Sequence, residues 1–300
     1  DNQLETYNPC FDDIVSACDE DTKAIFMAHT LGNPFDAIRL KDFCDDKNIW
    51  LIEDNCDALG SKIGKDFTGT IGHISTLSFY PAHHITTGEG GAVLTNSNRL
   101  KLSIDSFRDW GRDCWCKSGH DNTCNKRFDW QLGDLPYGYD HKFTYSNIGY
   151  NLKATDLQAS IGVAQIDKLE SFILKRKENW KRINNIFSKY NNYFILHKAE
   201  ENTDPSWFGY AITLKNNIKF SRNDFVEFLN ENNIATRLMF GGNLIRQPAY
   251  KDKVFEIYKN LDNADIVMKN SFWLGVYPGL SSDMLDYLED RVDEFINKFN

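Results

Sequence analysis

The sequence predicts an α/β fold in two parts: a mainly parallel sheet domain over residues 1–165, and a smaller α/β domain, entered through a bridging helix, over residues 166–300. Three observations predict it. Two short apolar runs flank a helical pattern between Thr22 and Asn55, the order that a right-handed parallel crossover requires. One helical pattern, residues 154–190, is far longer than its neighbours. Beyond it, strand-like and helix-like stretches alternate to the end. A chain of 300 residues is long enough to bury two such cores.

Residues 1–18 show no clear periodicity, and no element is expected there. "TKAIFMAHTLG" (22–32) is a short apolar run with a glycine stop, the pattern of a strand buried on both faces. In "NPFDAIRLKDFCDDKN", Pro34 stands early and Ile38, Leu40, Phe43 and Cys44 are the apolar residues of a helix. "IWLIEDN" (49–55) is a second buried strand that closes on acidic residues. "STLSFY" (75–80) and "GGAVLTN" (90–96) read as further strands. The 154–190 pattern is expected to bend or break once. After it, "SWFGYAITL" and "IATRLMF" read as strands around a helix capped by Ser221 or Asn223. "SSDMLDYLEDRVDEFINKF" is an amphipathic terminal helix.

Hydrophobic residues at 41% and charged residues at 26% place the chain among soluble globular proteins. A net charge of -9 argues against nucleic acid or an anionic membrane surface as the main partner, while leaving room for a local basic pocket. No apolar run approaches a membrane span and no signal-peptide pattern is visible. The seven cysteines, Cys10, Cys18, Cys44, Cys56, Cys114, Cys116 and Cys124, are odd in number, which makes a poor disulfide framework. A reducing, cytoplasmic location with cysteines in the core or on a metal fits better. Cys44, inside a helical pattern, is expected to be packed as a small hydrophobe.

Open parallel sheets bind ligands at the carboxyl ends of their strands. Asp54, Cys56 and Asp57 lie at one such end and residues 78–84 at another, so both segments are expected in one pocket. A carboxylate there can hold a protonated ring nitrogen, the partner that makes a pyridine-type cofactor an electron sink. An acidic strand end or a helix cap would look the same. "GEGG" (88–91) permits a tight turn and close backbone approach, although most such runs are only turns.

Taken together, "IEDNCDALG", "LSFYPAHHITTGEGGAVLT" and "GYNLKATDLQASIGVAQIDKL" resemble the pyridoxal-phosphate sugar aminotransferase family of fold type I, the DegT/DnrJ/EryC1 group. The resemblance covers essentially the whole chain. It implies the PLP-dependent transferase fold with the N-terminal part of the large domain missing. Family members begin upstream, with a Gly/Ser segment and helix N-terminus that hold the cofactor phosphate. The chain is therefore expected to be the C-terminal majority of a longer protein. In the family a lysine stands five residues after the serine of the "SF" pair; here that position is His83. The resemblance then implies a cofactor held without a covalent bond, as pyridoxamine 5′-phosphate (PMP) rather than pyridoxal 5′-phosphate (PLP). It makes His83 a general base, the mark of the family's sugar 3-dehydrases. Asp54 would hold the ring nitrogen, Asp57 and Tyr80 would lie against the ring, and Ser78 would bind the phosphate. Asn151 would reach the phosphate of a neighbouring subunit, which implies a homodimer. Phe208 would line the same pocket, and Arg237, with residues 241–250, would contact the sugar nucleotide. His84 is expected to be structural.

Cys56, Cys114, Cys116 and Cys124 leave 57, one and seven residues between them. With their context, "FRDWGRDCWCKSGHDNTC", they resemble the iron–sulfur ligands of one branch of these 3-dehydrases, and four thiolates suit a [2Fe–2S] cluster. The resemblance implies C3 dehydration and deoxygenation of CDP-4-keto-6-deoxy-D-glucose on the way to a 3,6-dideoxyhexose of bacterial surface polysaccharide. Electrons would come from a partner reductase, a flavin and iron–sulfur protein that uses NADH. The residues leave open zinc on the four cysteines, a cluster-free dehydrase of the GDP-sugar type, an ordinary sugar aminotransferase, and an inactive fragment.

Overall fold

The computed structural model describes residues 1–116 and 119–299. It opens with α1 (Phe11–Ala17), in the stretch where no element was expected. Phe11 and Ile14 pack onto the first core from that helix, a tertiary contact that a seven-residue pattern does not announce. Next come β1 (Ala24–Ala28), α2 (Ala37–Lys47) and β2 (Trp50–Asp54). The Asp36 side chain accepts the Arg39 amide to start α2, and Asn48 in the left-handed conformation ends it. α2 buries Ala37, Leu40 and Cys44 against Ile25, Ile49 and Leu51. β1 and β2 are parallel, with Ala28 opposite Asp54, so the crossover is present.

The small strands β3 (Lys62–Ile63) and β4 (Asp66–Phe67) precede β5 (Ile74–Ser78) and β6 (Gly91–Leu94). The first sheet runs β1-β2-β5-β6. β5 is parallel to β2, and β6 closes the edge antiparallel. Gly91 is required there, because a Cβ would fall 2.6 Å from the Leu77 carbonyl oxygen. The expectation that the 22–32 strand is buried on both faces is corrected. Ile25 is covered but Phe26 is 64% exposed, so only the α2 side of β1 is packed.

α3 (Asn98–Arg108) leads into a long loop, and then α4 (Asp156–Ile166) and α5 (Leu169–Ser188) follow. The long pattern breaks once, between them. A reciprocal Thr155–Gln158 capping box starts α4. The remaining elements are β7 (Phe194–Leu196), β8 (Thr203–Asp204), β9 (Gly209–Leu214), α6 (Arg222–Glu231), β10 (Thr236–Leu238), α7 (Asp262–Asn270), β11 (Ser271–Gly275) and α8 (Ser282–Asn297). They form an antiparallel sheet β10-β11-β9-β7. Its core joins Ile183 and Phe187 of α5, Phe225 and Leu229 of α6, and Val292 and Phe295 of α8. Ser221 is the α6 cap, with Asp224 answering it.

The two parts of the chain are stitched together. β8 pairs with β3 in a third, small sheet, β4-β3-β8. Tyr7 packs with Leu31, Phe208, Ala211, Met239 and Val267, and its hydroxyl lies 2.8 Å from that of Thr213. The Asp1 carboxylate accepts the amides of Asn263 and Ala264 in the first turn of α7. Among the described residues, no helix is long and apolar enough to cross a membrane.

Candidate active site

β2 and β5 are parallel neighbours, so their carboxyl ends open side by side. Asp54, the last residue of β2, is held in place: its Oδ1 accepts the Thr76 hydroxyl at 3.0 Å and the Cys56 amide at 3.2 Å. Just beyond, Asp57 Oδ1 lies 3.4 Å from His83 Nε2. The donor atoms of Cys56, Asp57 and His83 all lie within 4.8 Å of one another. His83 sits between aromatic rings, with centroids 5.7 Å away at Tyr80 and 5.3 Å away at Phe208. Ser78 Oγ accepts the Tyr80 amide where the chain leaves β5. The expected meeting of the two segments is therefore present.

Burial sets the electrostatics. Loss of solvent, then the charge of Asp54, raises Asp57 to about 7. Burial, then Asp57 and Asp54, pushes the Cys56 thiol far above its ordinary value. Burial lowers His83, so its ring is neutral near pH 7 and able to accept a proton. Nδ1 of His83 is buried and has no hydrogen-bond partner among the described residues. His84 is structural, as expected. It is buried, its Nε2 lies 2.9 Å from Ser206 Oγ, and that oxygen lies 3.0 Å from Ser61 Oγ.

Two further residues shape the site without having been singled out in the sequence. Arg176 of α5 is 2% exposed and donates to the carbonyls of Val276 (2.6 Å), Trp207 (3.3 Å) and His83 (3.5 Å). Burial lowers it to about 10. Its signal was its place on the buried helical stripe with Asn179, Ile183 and Ile186. Glu53 of β2 is wholly buried, 2.9 Å from His29 Nε2, and accepts the amides of Gly69, Ile71 and Gly72. A carboxylate directly following an apolar run, still inside the strand, was the available sign.

His83, Arg176, Phe208 and Arg237 line a cavity of about 1050 Å³ together with Trp273 and Tyr277. Asn151 is elsewhere: it is exposed and its backbone bridges to Asp109. Cys114, Cys116 and Cys124 line another cavity of about 650 Å³. There a Thr123 hydrogen bond brings the Cys116 thiol down to about 7. Cys56 is not on that wall. The structure thus gathers three of the four cysteines, because β2 fixes Cys56 beside Asp54 while the other three ride on the loop after α3.

These residues fit the pyridine end of a PLP or PMP cofactor: a fixed carboxylate, flanking aromatic rings, and a buried histidine with an unused ring nitrogen. Among the described residues, Cys56 does not line the cavity that the other three cysteines share.

Comparison with known proteins agrees. The profile of the DegT/DnrJ/EryC1/StrS aminotransferase family matches residues 1–293. A dTDP-4-dehydro-2,6-dideoxy-D-glucose 3-dehydratase of Saccharopolyspora spinosa is 50% identical over 298 residues, 99% of this chain and 64% of that protein. The lipopolysaccharide biosynthesis protein RfbH of Salmonella typhimurium (strain LT2) is 50% identical over 295 residues, 98% of this chain and 68% of the relative. The chain thus spans about two thirds of the length of these relatives, and slightly less for the first. A crystal structure of a GDP-4-keto-6-deoxymannose 3-dehydratase, a histidine-to-asparagine variant with bound GDP-perosamine, superposes with a TM-score of 0.84. It shares 26% identity over 97% of this chain and 72% of its own. With this sheet order, this strand-end site and a match over nearly its full length, the chain belongs to the DegT/DnrJ/EryC1/StrS aminotransferase family.

Proposed function

We propose that the protein is a PMP-dependent sugar-nucleotide 3-dehydratase acting on CDP-4-keto-6-deoxy-D-glucose in 3,6-dideoxyhexose synthesis. The observation that carries this reading is His83, standing where the family places lysine, with its Nε2 3.4 Å from Asp57. Two relatives at 50% identity, one named a sugar 3-dehydratase and one a lipopolysaccharide biosynthesis protein, support it.

PMP, when bound, supplies an amine for a C4 ketone and a ring that takes up electrons. Asp54 would keep the ring nitrogen protonated. His83 would take a proton at Nε2 from the carbon that bears the amine, and Asp57 would stabilise the imidazolium formed. Ser78 would bind the phosphate, Tyr80 and Phe208 would exclude water, and Arg237 would hold the diphosphate from the cavity wall. Arg176 fixes the His83 backbone. Asn151 would serve the site of a second subunit in a homodimer, with residues 1–165 and 166–300 as the two domains.

The [2Fe–2S] cluster on Cys56, Cys114, Cys116 and Cys124, and its partner reductase, rest on the resemblance carried by the cysteine spacing and its sequence context. The separation of Cys56 from the other three favours a second reading, a cluster-free dehydratase of the GDP-sugar type. Iron and acid-labile sulfide in anaerobically prepared full-length enzyme separate the two: about two of each per chain are expected for the cluster. For the base, His83→Asn in the full-length enzyme should slow dehydration by ~10²–10⁴-fold. Unchanged turnover would sink the assignment.

A further inference from the structure

The fourth cysteine stands apart from its expected companions, but it has other ones. We propose that Cys56, Asp57 and His83 bind a zinc ion in the cofactor-free, cluster-free protein, and that this ion and PMP exclude each other. The second half rests on the proposed cofactor site; the first does not.

The donor set is one thiol, one carboxylate oxygen and one imidazole nitrogen. Zinc takes these three types, and sites with three protein ligands leave a fourth position for water. The spacing also suits zinc. Zinc–nitrogen and zinc–oxygen bonds of about 2.0–2.2 Å at a tetrahedral angle place the two donors ~3.4 Å apart. His83 Nε2 and Asp57 Oδ1 are 3.4 Å apart, so one edge of the tetrahedron already exists. The Cys56 thiol, within 4.8 Å of both, completes the face. Thiolate and imidazole select zinc over magnesium or calcium.

The scaffold is rigid. The Cys56 amide is held by Asp54, and the His83 carbonyl is held by buried Arg176. His83 Nε2 and the Asp57 carboxylate are the groups that the proposed cofactor site also uses, so the ion and PMP would compete for them.

The test uses full-length enzyme stripped of iron and cofactor, titrated with Zn²⁺ and, for its spectrum, Co²⁺. A variant with Cys114, Cys116 and Cys124 all changed to serine should still take up one zinc per chain and give a thiolate-to-cobalt absorption band. Cys56→Ser and Asp57→Asn should each weaken zinc by at least ~10-fold, and both small polar changes leave the fold intact by circular dichroism. Added PMP should release the zinc. Unaltered zinc affinity in Cys56→Ser, or zinc lost only with the three loop cysteines, would overturn the inference. Zinc bound as described in an enzyme without dehydratase activity would remove the functional reading and leave this one standing.

Discussion

Glu53 shows how a single residue underwrites the site without touching it. Its carboxylate ties β1, through His29, to the backbone of the 69–72 turn. Burial alone would raise its pKa, but the His29 hydrogen bond and the turn amides outweigh that and hold it below 4.5. A depressed folded-state pKa means that the stabilisation is present above the unfolded value and is lost as pH falls through the folded one. Glu53→Gln should therefore destabilise the protein by about 3 kcal/mol at neutral pH. The deficit should shrink in urea titrations carried below pH 4.5. A deficit constant with pH would show that the charge is not what matters. At this scale the sequence was readable where chemistry stood at strand ends: Asp54, Asp57 and His83 could be named. Glu53 and Arg176 could not, because their importance comes from burial imposed by partners far along the chain.

Among the elements, capped helices declared themselves best. Ser221 and the broken 154–190 helix follow from local rules, whereas α1 exists only through its packing on the first core. Ser221→Ala should cost ~1 kcal/mol, read as a fall in melting temperature without loss of zinc or cofactor binding. The loop after α3 is held more tightly. At Gly111, with φ 84°, a Cβ would fall 1.9 Å from the Asn147 carbonyl oxygen. The same loop is clamped by Arg127 on Asp140 and by His141 on Asp113. Gly111→Ala should cost at least ~2 kcal/mol, read as a fall in melting temperature. The cysteine loop could be located from spacing. That Cys56 does not line its cavity could not be read there, because spacing counts residues and says nothing of where a loop folds.

At the scale of the whole chain, Tyr150, Leu152, Leu157 and Val163 are each at least 66% exposed. For the proposed homodimer, Leu157→Glu should shift the sedimentation of the full-length enzyme from dimer toward monomer. The two-part architecture was legible from the alternation of patterns. The stitching between the parts was not, since Tyr7 and Thr213 are 206 positions apart. That contact has a consequence for how the protein is made. The Tyr7 strap is synthesised well before its seat on β9, which follows 206 residues later, a wait of about 10–40 s at ordinary elongation rates. Throughout that interval only the Leu31 and Asn33 side of its seat exists, and a nascent chain stalled before residue 213 leaves Tyr7 open to chaperones.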